Sequence, residues 1–304
     1  MATADNSFLY EGGADGVLLI HGLTGTPTEM KFVGKGLART GFTVYGMQLA
    51  GHCGTEADLL ATSWHDWSAS VEQAYAVLAQ RCERVFVAGL SVGAVLALHL
   101  AAQNPKKIAG LGLYSTTLRY DGWAIPRLSF LLPLVLCLPF GKRYHFVESH
   151  PYGIKDERLR KRVVANMFSG NSGEAGLSGT PGMSLRELWK LVAAVKKEMP
   201  AITTPALIVH SSIDDVTSTW NARYVQRHLG GPTRTVLLDN CYHMITVDQQ
   251  RREVAECTAQ YFHSLTQGNA DKTAAGPRDC HPGADLEQRG GRAFPLEAVA
   301  LLTP

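Results

Sequence analysis

The chain is predicted to form an α/β protein with a doubly wound, mainly parallel sheet and an inserted cap. Three observations predict it. Short apolar runs rich in β-branched residues alternate with helical stretches along most of the chain. One run, Val85–Ala88, leads straight into Gly89-Leu90-Ser91-Val92-Gly93 and a helix-forming stretch, Ala94 to Gln103. Finally, the rhythm stops after Tyr114 and resumes only at Thr204, which marks an insertion between two strands of one sheet.

The elements follow in order. Phe8–Tyr10 and Val17–Ile20 flank the turn-rich segment Glu11 to Gly16 and read as an opening hairpin. Thr26-Pro27-Thr28-Glu29 is a helix start, with a capping Thr, Pro at the first position and Glu three residues after the cap. That helix runs to about Arg39 and stops at Gly41. Phe42–Met47 is a strand and Gln48–Thr62 a loop; Ser63 caps a helix reaching about Gln80. After the Ser91 turn and its helix, Asn104-Pro105 is a stop and Ile108–Tyr114 is the next strand. Residues 117–200 hold an apolar segment (Trp123–Phe140), a basic helical patch (Lys155–Val164), a Gly/Ser/Asn-rich link and a helix over Leu185–Met199. Strand Ala206–His210, helix Ser218–Leu229, strand Thr235–Leu238 and helix Val247–Ser264 complete the pattern. The expected organisation is a core of residues 1–116 and 201–266, a cap of residues 117–200, and a mostly disordered tail at 267–304, where Gly, Ala, Asp and Arg show little periodicity.

Composition narrows the function classes. A net charge of +2, with both signs mixed along the chain, leaves no basic stripe for nucleic acid. The six cysteines are scattered without a Cys-x-x-Cys pair, so free thiols in a reducing, cytoplasmic compartment are expected rather than disulfides or a metal site. The N-terminus lacks a signal-peptide pattern, and the most apolar run, Leu128–Phe140, is short and contains Pro133 and Pro139, so no transmembrane span is expected. Neither a dinucleotide-binding glycine pattern nor a phosphate loop occurs. No cofactor and no metal are expected.

The Gly-x-Ser-x-Gly turn carries the chemistry. A serine hydroxyl is a poor nucleophile at neutral pH unless a base takes its proton as it attacks. Ser91 is the candidate nucleophile. His243, in a loop just past a strand, is the candidate base, because imidazole accepts and returns a proton near neutrality. Asp214 or Asp215 orients the imidazole; Asp214 is favoured by its Asp-x-Val setting, and Asp215 is then expected to cap the helix near Ser218 or face solvent. All three follow strands, and parallel sheets bind ligands beyond the carboxyl ends of their strands. In His21-Gly22-Leu23-Thr24-Gly25, the N–H of Leu23 joins the N–H of Val92 as a pair of oxyanion donors. His21, Gly22 and His52 are candidate pocket residues; His21 reads as a loop-fixing hydrogen-bond residue rather than a catalyst, and a loop-structuring role is at least as open for His52. The apolar Trp123–Phe140 segment is read equally as an acyl-chain channel or lipid contact and as a buried cap helix.

With these motifs the chain resembles the α/β-hydrolase superfamily, and within it the bacterial carboxylesterases and monoacylglycerol lipases. The resemblance spans about Gly16 to Ser264 and is most specific in His21–Gly25, Gly51-His52, Ser63–Trp67, Gly89–Gly93 and His243–Asp248. It implies a cofactor-free serine esterase with nucleophile Ser91, acid Asp214, base His243 and oxyanion donors Leu23 and Val92, acting on a small apolar ester or lipid. Two departures stand out: Ala94 replaces a glycine frequent after the elbow, and Gly51-His52-Cys53-Gly54 replaces Gly-His-Gly. The same triad serves thioesterases, C–C hydrolases and acyltransferases. A ligand-binding protein on this scaffold is the non-enzymatic alternative.

Overall fold

The computed structural model describes residues 5–126, 129, 131–136, 144–147, 150–168 and 172–267. The tail expected to be disordered lies outside them from residue 268, as do residues 127, 128, 130 and 137–140 of the apolar segment.

The elements are β1 (Phe8–Tyr10), β2 (Asp15–Ile20), a 3-10 turn (Pro27–Met30), α1 (Lys31–Arg39), β3 (Thr43–Met47), α2 (Glu56–Leu60), α3 (Trp64–Ala79), β4 (Arg84–Leu90), α4 (Val92–Gln103) and β5 (Leu111–Tyr114). Between β5 and the next sheet strand come α5 (Leu132–Val135), β6 (His145–Val147), α6 (Glu157–Phe168), α7 (Ser172–Ala175), β7 (Gly179–Pro181) and α8 (Gly182–Glu198). A second 3-10 turn (Met199–Ala201), β8 (Ala206–Ser211), α9 (Trp220–His228), β9 (Thr233–Leu238) and α10 (Arg251–Gln267) follow. The seven-stranded sheet has the order β1-β3-β2-β4-β5-β8-β9; β1 is antiparallel and every other pairing is parallel. The described residues of the segment between β5 and β8 belong to the same compact unit as the sheet.

The expected opening hairpin does not form. β2 is flanked by parallel β3 and β4, and β1 pairs instead with β3, Phe8 opposite Gly46. The Phe8 ring lies where a side chain on residue 46 would stand, so the missing Cβ admits β1 at that edge. The loop expected after β3 contains α2, closed by a capping box between Thr55 and Asp58. The last helix begins at Arg251 rather than Val247, because the residues before it form turns around Asp248.

Alternation along β2 and β4 builds the two faces of the sheet. Leu18, Ile20, Val85 and Val87 pack with Trp67 and Val71 of α3, α4 and Leu188 of α8. Val17, Leu19, Phe86 and Ala88 pack on the other face with Val33 and Leu37 of α1 and Val254 and Phe262 of α10. Helix α4 is buried from Val92 to Ala101, with α3 and α8 packed against it, and is apolar all round for that reason. Each fully buried Leu, Ile, Val or Phe contributes about 1.5–3 kcal/mol. This rigid layer fixes the strand ends where the site forms. The chain leaves β2 for β3 on one side and returns to β4 on the other, so the loops after β2 and β4 diverge at a topological switch point.

Candidate active site

Ser91 sits on the turn from β4 into α4 with φ 57° and ψ −113°, a positive-φ conformation that costs a side chain-bearing residue about 1–3 kcal/mol. Two glycines let the turn close: a Cβ on Gly89 would lie 2.2 Å from the Gly93 carbonyl carbon, and one on Gly93 would lie 2.3 Å from the Ile20 oxygen. The Ser91 N–H donates to Tyr114 O at 2.8 Å, which ties the turn to β5. The hydroxyl lies 2.8 Å from Thr117 Oγ1, and Thr117 donates to Ser115 O at 3.2 Å, so Ser91 donates to Thr117. Among the described residues, the N–H groups of Leu23 and Val92 donate to no protein acceptor. Val92 opens α4, where the free N–H groups and helix dipole favour negative charge.

The acid and base meet across the ends of β8 and β9. His243 Nδ1 lies 2.9 Å from Asp214 Oδ2 and 3.1 Å from Oδ1, and both side chains are buried. The Asp214 carboxylate also accepts the N–H groups of Val216 (2.8 Å) and Thr217 (2.7 Å) and the Thr217 hydroxyl (3.0 Å). A carboxylate so held accepts a hydrogen bond from the Nδ1–H of a neutral imidazole, which fixes that tautomer and leaves Nε2 as the basic nitrogen. Burial opposes the charge on both partners. For Asp214 the opposing pull of His243 and the surrounding donors prevails, and its pKa lies below the usual carboxyl value. For His243 the Asp214 charge and hydrogen bond, assisted by Asp215 and Glu29, prevail over burial, and its pKa lies above the ordinary 6.5. His210, at the end of β8, stands behind the pair with Nε2 2.9 Å from Thr217 O and 3.6 Å from Asp214 Oδ2; burial lowers its pKa.

Asp215 neither caps a helix nor faces solvent, contrary to expectation. It is buried, and its carboxylate accepts the N–H of Gly153 (3.0 Å) and of His243 (3.2 Å), which pins the histidine loop to the β5–β8 segment. Burial, opposed by His243 and reinforced by Asp214, raises its pKa. The N-terminal turn of α9 is served by Asp121, which accepts from Ser218 N, Ser218 Oγ and Asn221 Nδ2. Asp248, which closes the His243–Asp248 stretch but to which the sequence assigns no role, is a second organiser: it accepts from the backbone of Tyr242, Lys155, Asp156 and Gln249.

The expected pocket residues divide. His21 takes the loop-fixing place: it is fully buried, Nδ1 donates to Gly22 O at 2.8 Å and Nε2 accepts from Leu49 N at 3.1 Å, so no ring nitrogen is left over for a substrate. Its pKa is pulled down to about 3 by burial and by His52, which keeps it neutral. The Gly22 N–H is engaged by Glu29 at 3.3 Å, and the residue's bare Cα leaves room beside Ser91 Cβ. His52 is buried, with Nδ1 donating to Ala50 O at 2.9 Å and Nε2 unpartnered among the described residues.

The segment between β5 and β8 is bonded to every loop of this edge. Ala124 N donates to Asp215 O and Trp123 Nε1 to Ile213 O, both at 3.0 Å. Met244 N donates to Gly153 O (2.8 Å), Leu177 N to Thr24 O (3.0 Å) and Ser172 Oγ to Cys53 O (3.3 Å). Among the described residues no cluster of His, Cys, Asp and Glu could hold a metal ion, and no helix is long and apolar enough to cross a membrane.

A parallel sheet with a serine on a positive-φ strand-to-helix turn, and a buried His–Asp pair at the same sheet edge, defines the α/β-hydrolase class. The family model described as serine aminopeptidase, S33 (Hydrolase_4) matches residues 14–250, and the chain belongs to that family. Among curated proteins it is 31% identical over 256 residues to the thermostable monoacylglycerol lipase of Bacillus sp. (strain H-257), covering 84% of this chain and 93% of the relative. It is 24% identical over 265 residues to a carboxylesterase of Bacillus subtilis (strain 168), covering 85% and 96%. Among solved structures it resembles one from a study of LipS and LipT, two metagenome-derived lipolytic enzymes, with TM-score 0.72 and 28% identity over 85% of this chain and 97% of the other. The chain is a hydrolase of the esterase and lipase group.

Proposed function

We propose that the protein cleaves carboxylic esters, of the monoacylglycerol or small carboxylester kind, through a triad of Ser91, His243 and Asp214 and an acyl-enzyme intermediate. The observation that carries this reading is the buried His243–Asp214 pair, with its basic Nε2 left over, at the strand ends that also present Ser91. In the proposed cycle Ser91 turns its hydroxyl from Thr117 to His243 Nε2 and attacks the ester carbonyl as the imidazole takes its proton. The N–H groups of Leu23 and Val92 hold the oxyanion, each worth about 2.7–4 kcal/mol in the transition state. Protonated Nε2 gives its proton to the leaving alcohol. A water, deprotonated by the same imidazole, then adds to the acyl carbonyl, and Ser91 leaves with that proton.

Residues 117–200 act in this reading as the cap over the site. Trp123, Leu131, Leu134, Tyr144 and Val147 are exposed large apolar residues on it and suit an acyl chain or a transient lipid surface. The test is steady-state hydrolysis of a chain-length series of p-nitrophenyl esters and of monoacylglycerols, with an amino-acid p-nitroanilide alongside. The reading expects ester turnover that Ser91→Ala and His243→Ala each lower by at least about 1000-fold in kcat. Retained ester turnover in folded Ser91→Ala, or turnover of the anilide alone, would overturn it. Competing alcohol and thioester substrates separate hydrolysis of oxygen esters from acyl transfer and thioester cleavage.

A further inference from the structure

Glu29 stands in the 3-10 turn that follows the Gly22–Gly25 loop, in a sequence setting that reads as an ordinary helix cap. Its carboxylate also reaches back to the loop before it. Oε2 accepts the Gly22 N–H at 3.3 Å. A Cβ on Gly25 would fall 2.1 Å from Glu29 Oε1 and 2.5 Å from Cδ and Oε2, so the carboxylate lies against the bare Cα of Gly25. A Cβ on Gly22 would stand 3.7 Å from Glu29 Oε2 and 3.6 Å from Ser91 Cβ, so the carboxylate and the nucleophile flank the same glycine. From outside, Gly176 and Leu177 of the β5–β8 segment close on Thr24 and Gly25, with Leu177 N donating to Thr24 O at 3.0 Å. The loop that carries Leu23 N–H is thus gripped from both sides, and one grip is a carboxylate. Its field reaches two neighbours: it helps hold the His243 imidazole above its ordinary pKa, and after burial it is the next contribution raising the Cys53 thiol to about 12.

We propose that Glu29 is a positioning residue of the reaction: its carboxylate, seated against the Gly22–Gly25 loop beside the nucleophile, keeps Leu23 N–H aimed at the oxyanion and stabilises the imidazolium formed as Ser91 attacks. The proposal rests on the serine-hydrolase reading above and adds a second carboxylate to it. The roles are separable because the hydrogen bond needs only an acceptor, whereas the imidazolium needs a charge. The other ionisable groups around His243 are Asp214 and Asp215 on the β8–α9 loop, His210 at the end of β8, and Asp248, bonded to the neighbouring Tyr242 N–H. All remain in place when Glu29 is changed.

The experiment compares wild type, Glu29→Gln and Glu29→Ala in kcat and KM for a p-nitrophenyl ester from about pH 5 to pH 9. Glutamine keeps an acceptor for Gly22 N–H and loses the charge. The acid-side midpoint of kcat/KM is expected to fall by roughly half a pH unit, with plateau kcat within about threefold of wild type. Alanine loses both; the same downward shift is expected, with plateau kcat lowered roughly tenfold and KM little changed, as for a loosened oxyanion donor. An unmoved midpoint in Glu29→Gln would overturn the proposal and leave the carboxylate a purely structural brace. Unchanged kcat in Glu29→Ala would overturn the part concerning Leu23. If the alanine variant fails to fold, the glutamine midpoint decides. Failure of the serine reading is distinguished by Ser91→Ala: if that variant keeps its activity, the mechanism falls whatever Glu29 does.

Discussion

Replacing Asp214 by asparagine keeps the shape of the side chain and inverts one hydrogen bond. Asp214 Oδ1 accepts the N–H groups of Val216 and Thr217 at 2.8 and 2.7 Å, so the asparagine carbonyl takes that side. The new NH₂ then replaces Oδ2, which lies 2.9 Å from His243 Nδ1. Two donors cannot face each other, so Nδ1 must become the acceptor and the ring proton moves to Nε2. In that tautomer His243 cannot take the proton of Ser91. The imidazolium also loses its counter-charge. A unit charge at about 4 Å in an effective dielectric of about 20 is worth about 4 kcal/mol, or roughly 1000-fold. With the tautomer penalty added, kcat for a p-nitrophenyl ester is expected to fall by about 10³–10⁴, with KM little altered. Circular dichroism and the melting temperature verify that the variant is folded. A loss below tenfold in a folded Asp214→Asn protein would refute the assignment of the acid and the reasoning behind it.

Other expected outcomes concern pH and the surrounding scaffold. Because His243 is held above its ordinary 6.5, the acid-side midpoint of wild-type kcat/KM should lie above about 6.5, read from a pH–rate profile. The sign for stability follows: the His243 contribution is fully present below about pH 6.5 and is lost as pH rises through the raised value, so the melting-temperature difference between wild type and His243→Ala should shrink on the alkaline side. Asp215→Asn faces one of the Gly153 and His243 N–H groups with another donor, and should cost about 1–3 kcal/mol in urea denaturation while lowering kcat far less than Asp214→Asn. Cys53 has φ 64°, a conformation suited to glycine; Cys53→Gly relieves about 1–2 kcal/mol of strain against about 0.5–1 of added chain entropy, a net gain of about 0–1.5 kcal/mol and a rise in melting temperature of up to about 4 °C.

What the sequence disclosed was mostly local chemistry. The Gly89–Gly93 turn was legible because a strand, two small residues and a helix must adjoin for Ser91 to stand at positive φ. The Ser63 cap and the Pro27 start were legible for the same reason, and the α/β rhythm disclosed every parallel strand of the sheet to within a few residues. What escaped was long-range. The pairing of β1 with β3 depends on Phe8 filling the space over Gly46, which neither residue announces alone. Asp215 acquired its role from Gly153, 62 residues away, and Asp248 from Lys155 and Asp156 in the inserted segment. Glu29 reads in the sequence as part of a local cap, and its seat against Gly22 and Gly25 depends on how the preceding loop folds back. A signal for α2 did exist, in Thr55 and Asp58 three residues apart.

The central claim is that the Ser91 oxygen becomes covalently acylated during turnover. Rapid acid quench of wild type during hydrolysis of a slow p-nitrophenyl ester, followed by peptide mass spectrometry, tests it directly. The account predicts an acyl mass on the peptide carrying Ser91, absent from Ser91→Ala. Acylation of any other residue, or undiminished hydrolysis by Ser91→Ala with no adduct, would contradict it.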